Sequence, residues 1–334
     1  MSESVLEPED RIDRVAVIGS GVMGAGVAAH CANAGCEVIL LDIVPDGEDD
    51  RNLISREAIQ AMVQSDPEML MHKSFAKRIV PGNLEDDLQR LKDCDWVIEA
   101  IVERLDIKRS LYQKISQYIG SNTIVSSNTS TLPRSSLIEG MPSEMASRFL
   151  ITHFFNPPRY LPLLEVVSHK QVDQDTITRL AEFADKRLGK RVIHCNDTPG
   201  FIGNRLGVFF IQRALSAAIE HDLTVEQADA MLGLPIGVPK TAVFGLMDLV
   251  GIDLIPHIMA SMLEHLPDDD SFHNFAGYGK EIIQQMIAEG YTGRKSKGGF
   301  YRLNKEGGKR IKEARNLKTG EYAPANRKAG FPSA

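Results

Sequence analysis

A glycine turn near the start of the chain, set between a strand-like run and a helix-like run, leaves few folds open. Arg14-Val15-Ala16-Val17-Ile18 is short, apolar and β-branched. Gly19-Ser20-Gly21-Val22-Met23-Gly24 follows it as G-x-G-x-x-G, and an Ala-rich stretch with helical character continues to Gly35. The pattern alone arises by chance, and its context gives it weight: a strand before it, a helix after it, and Asp42 closing the next apolar run eighteen positions after Gly24. Gly19 permits the tight turn, Gly21 lets backbone approach a pyrophosphate, and Gly24 lets the helix pack close to the sheet. The helix N-terminus offers free N–H groups to the anion. Asp42 would accept hydrogen bonds from a ribose 2′-hydroxyl and repel a 2′-phosphate, which favours NAD over NADP. FAD uses a similar fingerprint and stays open at this point.

The rest of the first half extends this unit. Glu37 to Asp42 is a continuous apolar run, as in a parallel sheet covered on both faces. Similar runs stand at 96–100, 123–127, 148–152 and 163–167, mostly separated by helix-like segments such as Ile107 to Ile119. Strands alternating with helices predict a Rossmann-type doubly wound α/β sheet over residues 14–196. Residues 51–80 read as a helical excursion closed by Pro81-Gly82. Beyond Asp197 the periodicity turns helical, predicting an all-α domain over 197–303. Residues 1–13 read as a polar leader and 304–334 as a polar tail or linker able to bury little surface. At 334 residues the chain is long enough for two such cores.

Composition excludes several classes. A formal net charge of −7 argues against a general nucleic-acid binder. No run approaches the roughly 20 apolar residues that span a bilayer, and the acidic N-terminus does not resemble a targeting peptide, so a cytoplasmic protein without membrane partners is expected. Cys31, Cys36, Cys94 and Cys195 form no CxxC pair and no metal-site spacing, so neither disulfides nor a metal is expected.

Several polar segments at strand ends carry more specific chemistry: Ser127-Asn128-Thr129-Ser130, His153-Phe154-Phe155-Asn156-Pro157, Glu165, and Asp197-Thr198-Pro199-Gly200-Phe201-Ile202-Gly203-Asn204-Arg205. With the GxGxMG turn, the Glu99-Ala100-Ile101-Val102-Glu103 segment and the late Pro239-Lys240, Asp248-Leu249-Val250-Gly251 and Gly299-Phe300-Tyr301 segments, the chain resembles the 3-hydroxyacyl-coenzyme A dehydrogenases over about residues 14–303.

The resemblance implies NAD-dependent oxidation of an (S)-3-hydroxyacyl-coenzyme A in fatty-acid β-oxidation. It assigns His153 as base, oriented by Glu165 twelve residues on, with Ser130 and Asn204 holding the substrate. Imidazole suits the role, since a weakly acidic alcohol needs a base that titrates near working pH. The cofactor residues implied are Gly19, Ser20, Gly21, Val22, Met23, Gly24, Asp42, Glu103, Lys108, Ser130, Asn156 and Lys295. A dehydrogenase of a free hydroxy acid, such as a hydroxyisobutyrate, is the alternative, although those enzymes typically use a catalytic lysine. The resemblance also implies an acyl-coenzyme A partner and a homodimer through the helical domain. The Pro157-Pro158-Arg159-Tyr160 and GNLEDDL segments look like the subgroup in which an enoyl-coenzyme A hydratase module follows. The family's coenzyme-clamping hairpin does not align securely: Lys73, Lys77 and Arg78 could meet phosphates, or simply form a solvated basic face.

Overall fold

The computed structural model describes residues 11–305 and 310–326. The chain divides into two compact units, with the break between Ile202 and Gly203. In the first, the order is β1 (Arg14–Ile18), α1 (Val22–Asn33), β2 (Glu37–Asp42), α2 (Leu53–Gln64), β3 (Ile79–Asn83), β4 (Trp96–Glu99), α3 (Leu105–Ile115) and β5 (Ile124–Ser127). Then come α4 (Arg134–Leu137), α5 (Ser143–Ala146), β6 (Phe149–Phe154), β7 (Leu163–Val167), α6 (Gln174–Lys186) and β8 (Arg191–Cys195). The sheet order is β3-β2-β1-β4-β5-β6-β7-β8. Its strands pair in parallel except at β6–β7, where the chain turns back on itself.

Alternation within β1 explains the continuous apolar runs. Val15 and Val17 enter the core on one face of the sheet, while Ala16 and Ile18 enter the core on the other. With both faces covered there is no solvent side to mark with polar residues. The strand order reverses between β1 and β4, and in such sheets ligands bind beyond the carboxyl ends of the strands at that point.

Two strands escape the sequence reading. β3 straddles the end of the expected helical excursion: α2 and a short 3-10 turn over Lys73–Arg78 lead into Ile79–Asn83, which pairs with β2 through Pro81-Gly82. An edge strand tolerates the proline because one side of its ladder is unpaired. β8, at the other edge, carries exposed Arg191 and His194 and so lacks an apolar run.

The domain boundary also shifts. Residues 197–202 stay with the first unit: the Asp197 carboxylate accepts the N–H groups of Arg134 and Ser135 at 2.6 and 2.9 Å, and Phe201 is buried in the first unit's core. At the leader, Ile12 is 1% exposed and belongs to the core, while residues 1–10 lie outside the described residues.

The second unit holds α7 (Gly203–Glu220), α8 (Val225–Met231), α9 (Phe244–Val250), α10 (Leu254–His265) and α11 (Lys280–Ala288). Their core includes Leu215, Phe244, Met247, Met286 and Phe300. Thr224 and Gln227 form a reciprocal cap on α8, and Asp229 accepts the N–H groups of Val243 and Phe244 at the start of α9.

The expected polar tail is folded where it is described. β9 (Tyr301–Asn304), β10 (Ile311–Arg315) and β11 (Tyr322–Pro324) form an antiparallel sheet. Paired charge and aromatic rings stand where apolar bulk would be expected, which hydropathy does not register: buried Arg315 meets Glu289 at 2.8 Å and lies over the Tyr291 and Tyr322 rings. Residues 327–334 lie outside the described residues. Among the described residues no single helix is long and apolar enough to cross a membrane.

One half-buried group predicts acid sensitivity. His30 on α1 is held to about 4 by burial, with the Lys190 charge adding to the effect. The unfolded imidazole binds its proton near 6.5, so between these values the unfolded chain holds more protons and stability falls as pH drops from 6.5 to 4. Over that window His30→Gln is expected to flatten the slope of urea-unfolding free energy against pH. An unchanged slope would remove His30 as its source.

Candidate active site

The glycine turn is built for close approach. Gly19 has φ +99°, and a Cβ there would lie 2.6 Å from the Ala100 carbonyl oxygen. A Cβ at Gly24 would lie 1.8 Å from the Gly19 carbonyl, so only glycine lets α1 start this close to the turn. Around Gly21 a Cβ would meet nothing within 4 Å. That opening lies at the N-terminus of α1, whose first turn carries no side-chain cap and no acidic residue. Its N–H groups and dipole fit an anion, and the open approach at Gly21 fits a pyrophosphate. Val22 is exposed, whereas Met23 packs against the core.

Asp42, at the end of β2, accepts the Ser20 N–H at 2.6 Å and the Ser20 hydroxyl through Oδ2, and the Ile43 N–H at 2.8 Å through Oδ1. A carboxylate has about four lone-pair positions, so Asp42 can brace the turn and still accept from a ribose hydroxyl.

Beyond β4, a buried charge network supports the neighbouring loop. Glu99 is fully buried, yet meets Lys108 Nζ at 2.5 Å, the Tyr112 hydroxyl at 2.5 Å, the Ser127 hydroxyl at 2.6 Å and the Ile101 N–H at 2.8 Å. Lys108 is 1% exposed and also reaches Glu103 at 3.3 Å. Thus Lys108 is not a solvated charge: its ammonium is spent beneath the site. Glu103 accepts the Thr129 hydroxyl and the N–H groups of Ser130 at 3.1 Å and Thr131 at 3.3 Å. Burial alone would raise the Glu103 carboxyl, but the Lys108 charge and these donors outweigh it and hold it below the ordinary carboxylate range. Ser130 is therefore placed by a carboxylate grip on its own backbone.

His153 and Glu165 face each other across the one antiparallel pairing of the sheet, in register as direct partners. The twelve-residue spacing is the length of that hairpin. Glu165 Oε2 lies 2.7 Å from His153 Nδ1, and both residues are buried. With Nδ1 engaged, Nε2 is the nitrogen that can take a proton. The other carboxylate oxygen, Oε1, accepts the Ile202 N–H at 2.9 Å and lies 3.8 Å from the Cys195 thiol. Burial, with the Glu165 charge adding to it, pushes that thiol up to about 11, so it remains a donor. His153 packs against the Phe155 ring at 4.5 Å and the Phe201 ring at 5.8 Å. Because β6 runs parallel to β1, β4 and β5, His153 comes to the same carboxyl end as the glycine turn.

The first unit thus brings together the glycine turn, Asp42, Glu103, Lys108, Ser130, His153 and Glu165 at one end of its sheet, with Asn156 exposed just after β6. Asn204 stands in the first turn of α7 and Lys295 is exposed before β9, both in the second unit. Lys73 and Lys77 are exposed, whereas Arg78 donates to the Ala32 carbonyl at 2.7 Å and lies over the Phe75 ring. Two contributors, Glu99 and Asn128, stand in the quoted motifs but have no site role assigned from sequence. Glu99 is signalled by an acid at the end of an otherwise apolar strand. Asn128 stands in the polar Ser127-Asn128-Thr129-Ser130 segment, and its Oδ1 accepts the Phe154 N–H at 3.0 Å, tying β5 to the histidine strand.

Residues 14–198 match the family model described as 3-hydroxyacyl-CoA dehydrogenase, NAD binding domain, and residues 200–303 match the one described as its C-terminal domain. A fatty acid oxidation complex trifunctional enzyme of Rickettsia felis is 44% identical over 315 residues, which cover 94% of this chain and 44% of that protein. This chain therefore spans less than half of that relative's length. A 3-hydroxyacyl-CoA dehydrogenase of Deinococcus radiodurans is 41% identical over 318 residues, covering 95% of this chain and 89% of that one. The crystal structure of (S)-3-hydroxybutyryl-CoA dehydrogenase from Ralstonia eutropha aligns with a TM-score of 0.69 at 28% identity, covering 86% of this chain and 98% of that one. On both its units, this chain belongs to the 3-hydroxyacyl-CoA dehydrogenase family, with the family's NAD-binding domain at residues 14–198.

Proposed function

We propose that the chain oxidises an (S)-3-hydroxyacyl-coenzyme A reversibly to the 3-oxoacyl thioester, within fatty-acid β-oxidation. The observation that carries this reading is the buried His153–Glu165 pair at the carboxyl end of a sheet whose first turn fits a pyrophosphate. NAD, when bound, supplies the hydride acceptor. His153 Nε2 takes the proton of the 3-hydroxyl as hydride leaves carbon 3, and Glu165 stabilises the imidazolium and fixes the ring's orientation. Ser130 and Asn204 hold the substrate, while Glu103, Asn156 and Lys295 serve the cofactor side. Asp42 disfavours a 2′-phosphate.

The test follows NADH absorbance with acetoacetyl-coenzyme A. Wild type is expected to consume NADH far faster than NADPH, and to leave NADH untouched when a free oxo acid replaces the thioester. No turnover with this or longer thioesters, despite NADH binding, would end the substrate assignment.

The homodimer belongs to the same proposal, supported by exposed Leu234, Ile236, Leu249, Val250 and Leu254 in the second unit. A monomer mass by sedimentation at micromolar concentration would overturn it. A cytoplasmic location is proposed with it, to be tested by cell fractionation, as is a covalently linked enoyl-coenzyme A hydratase module, to be tested by the reading frame of the parent gene.

A further inference from the structure

The segment that leaves β8 makes an unusual approach to the dyad. Thr198-Pro199-Gly200-Phe201 closes a turn in which the Phe201 N–H meets the Thr198 carbonyl at 3.0 Å, with Gly200 at φ +72°. Proline followed by a left-handed glycine is the signature of a type II turn. Phe201 then also takes a left-handed conformation, at φ +49°. For a bulky residue that is a rare backbone state, sustained only where the surroundings over-determine it. Here the surroundings are specific. The Phe201 side chain is 4% exposed, in the core that also holds Val167 and Cys195, and its ring lies against His153. The next N–H in the chain, that of Ile202, is the one that meets Glu165 Oε1. The segment's other end is pinned through Asp197 to the start of α4.

We propose that Phe201 is a positioning residue for the reaction: its left-handed turn aims the Ile202 N–H at Glu165 Oε1, locking the carboxylate in the orientation that presents Oε2 to His153. This rests on the reading of His153 as base and Glu165 as its orienting carboxylate. Both oxygens of Glu165 are then held by donors from different parts of the chain, Nδ1–H on one side and the main-chain N–H on the other. The carboxylate cannot rotate away from the imidazole without breaking a buried hydrogen bond. Cys195 is a weaker third support, as befits a thiol.

Two perturbations test this on the full chain. Phe201→Val keeps an apolar side chain but disfavours the left-handed backbone. An ester at position 202, made with the α-hydroxy acid counterpart of isoleucine, removes the N–H while leaving every side chain in place. Each is expected to lower kcat on the order of 10-fold, with KM and NADH affinity little changed. Measured in the direction of hydroxyacyl oxidation, where His153 must start unprotonated, the acid limb of the kcat/KM profile should move to lower pH, because a carboxylate free to turn from the ring stabilises the imidazolium less. A merely structural role would lower the melting temperature without moving that limb. Wild-type kcat and an unmoved limb in the ester protein would overturn the proposal, and the ester decides if the valine variant does not fold. Should wild type itself fail to turn over the thioester, the function reading falls. The downfield proton resonance of His153 Nδ1–H then decides the clamp: its loss in the ester protein supports it, and its persistence unchanged refutes it.

Discussion

His153→Gln is expected to lower kcat for acetoacetyl-coenzyme A reduction by about 10²- to 10⁴-fold, the range for removing a positioned general acid or base. NADH affinity should hold, since no contact in the glycine turn changes. Glutamine fills similar space but has no nitrogen that gains and loses a proton in the working range, so the substrate oxygen loses its proton partner. Glu165→Gln should cost a comparable factor for a different reason. Glu165 now accepts on both oxygens, from His153 Nδ1–H and from the Ile202 N–H. An amide has only one acceptor oxygen. If that oxygen stays toward His153, its NH₂ confronts the Ile202 N–H. If it flips, the NH₂ donates to Nδ1 and opposes a second ring proton, so the imidazolium that must protonate the substrate oxygen in reduction is disfavoured. Single-turnover absorbance with a thermal melt of each variant checks both. Wild-type turnover in His153→Gln would move the base to another residue.

Much of the candidate site's geometry is legible in the sequence because it is tied to local order along the chain. The glycine turn, Asp42 after the next strand and the twelve-residue interval from His153 to Glu165 each reflect a single supersecondary unit: a βαβ turn in the first two cases and an antiparallel hairpin in the third. Within such a unit, spacing in sequence becomes spacing in the fold. Lys108 shows where this ends. On α3 it stands among Asp106, Arg109 and Lys114, and nothing local distinguishes a lysine turned inward onto Glu99 from its solvated neighbours. Only packing of that helix face against β4 and β5 decides it. The tail failed for a related reason: Arg315 is buried by pairing with Glu289 and by two tyrosine rings, a solution that hydropathy scores as polar surface. β3 and β8 were hidden by their place at the edges, where apolar content and unbroken ladders are no longer required.

Lys108→Met is expected to give the largest stability loss, about 3–5 kcal/mol, because it strands a buried charge rather than removing a contact. Glu99 is fully enclosed and keeps only the Tyr112 and Ser127 hydroxyls and the Ile101 N–H once the ammonium is gone. Three neutral donors can orient a carboxylate, but they do not cancel its charge in a medium of low dielectric. Glu103 loses the same cation, which loosens its grip on the Ser130 and Thr131 backbone, so substrate affinity should weaken along with stability. The double variant Glu99→Gln/Lys108→Met separates the two effects. With the buried charge neutralised, most of the lost stability should return, giving a large coupling energy between the positions. The Glu103 contact remains broken, so the thioester KM should stay raised. Urea unfolding of wild type, both single variants and the double variant measures this coupling. If Lys108→Met lies within about 0.5 kcal/mol of wild type, as surface substitutions do, then the network contributes as a hydrogen-bonded cluster rather than as an ion pair.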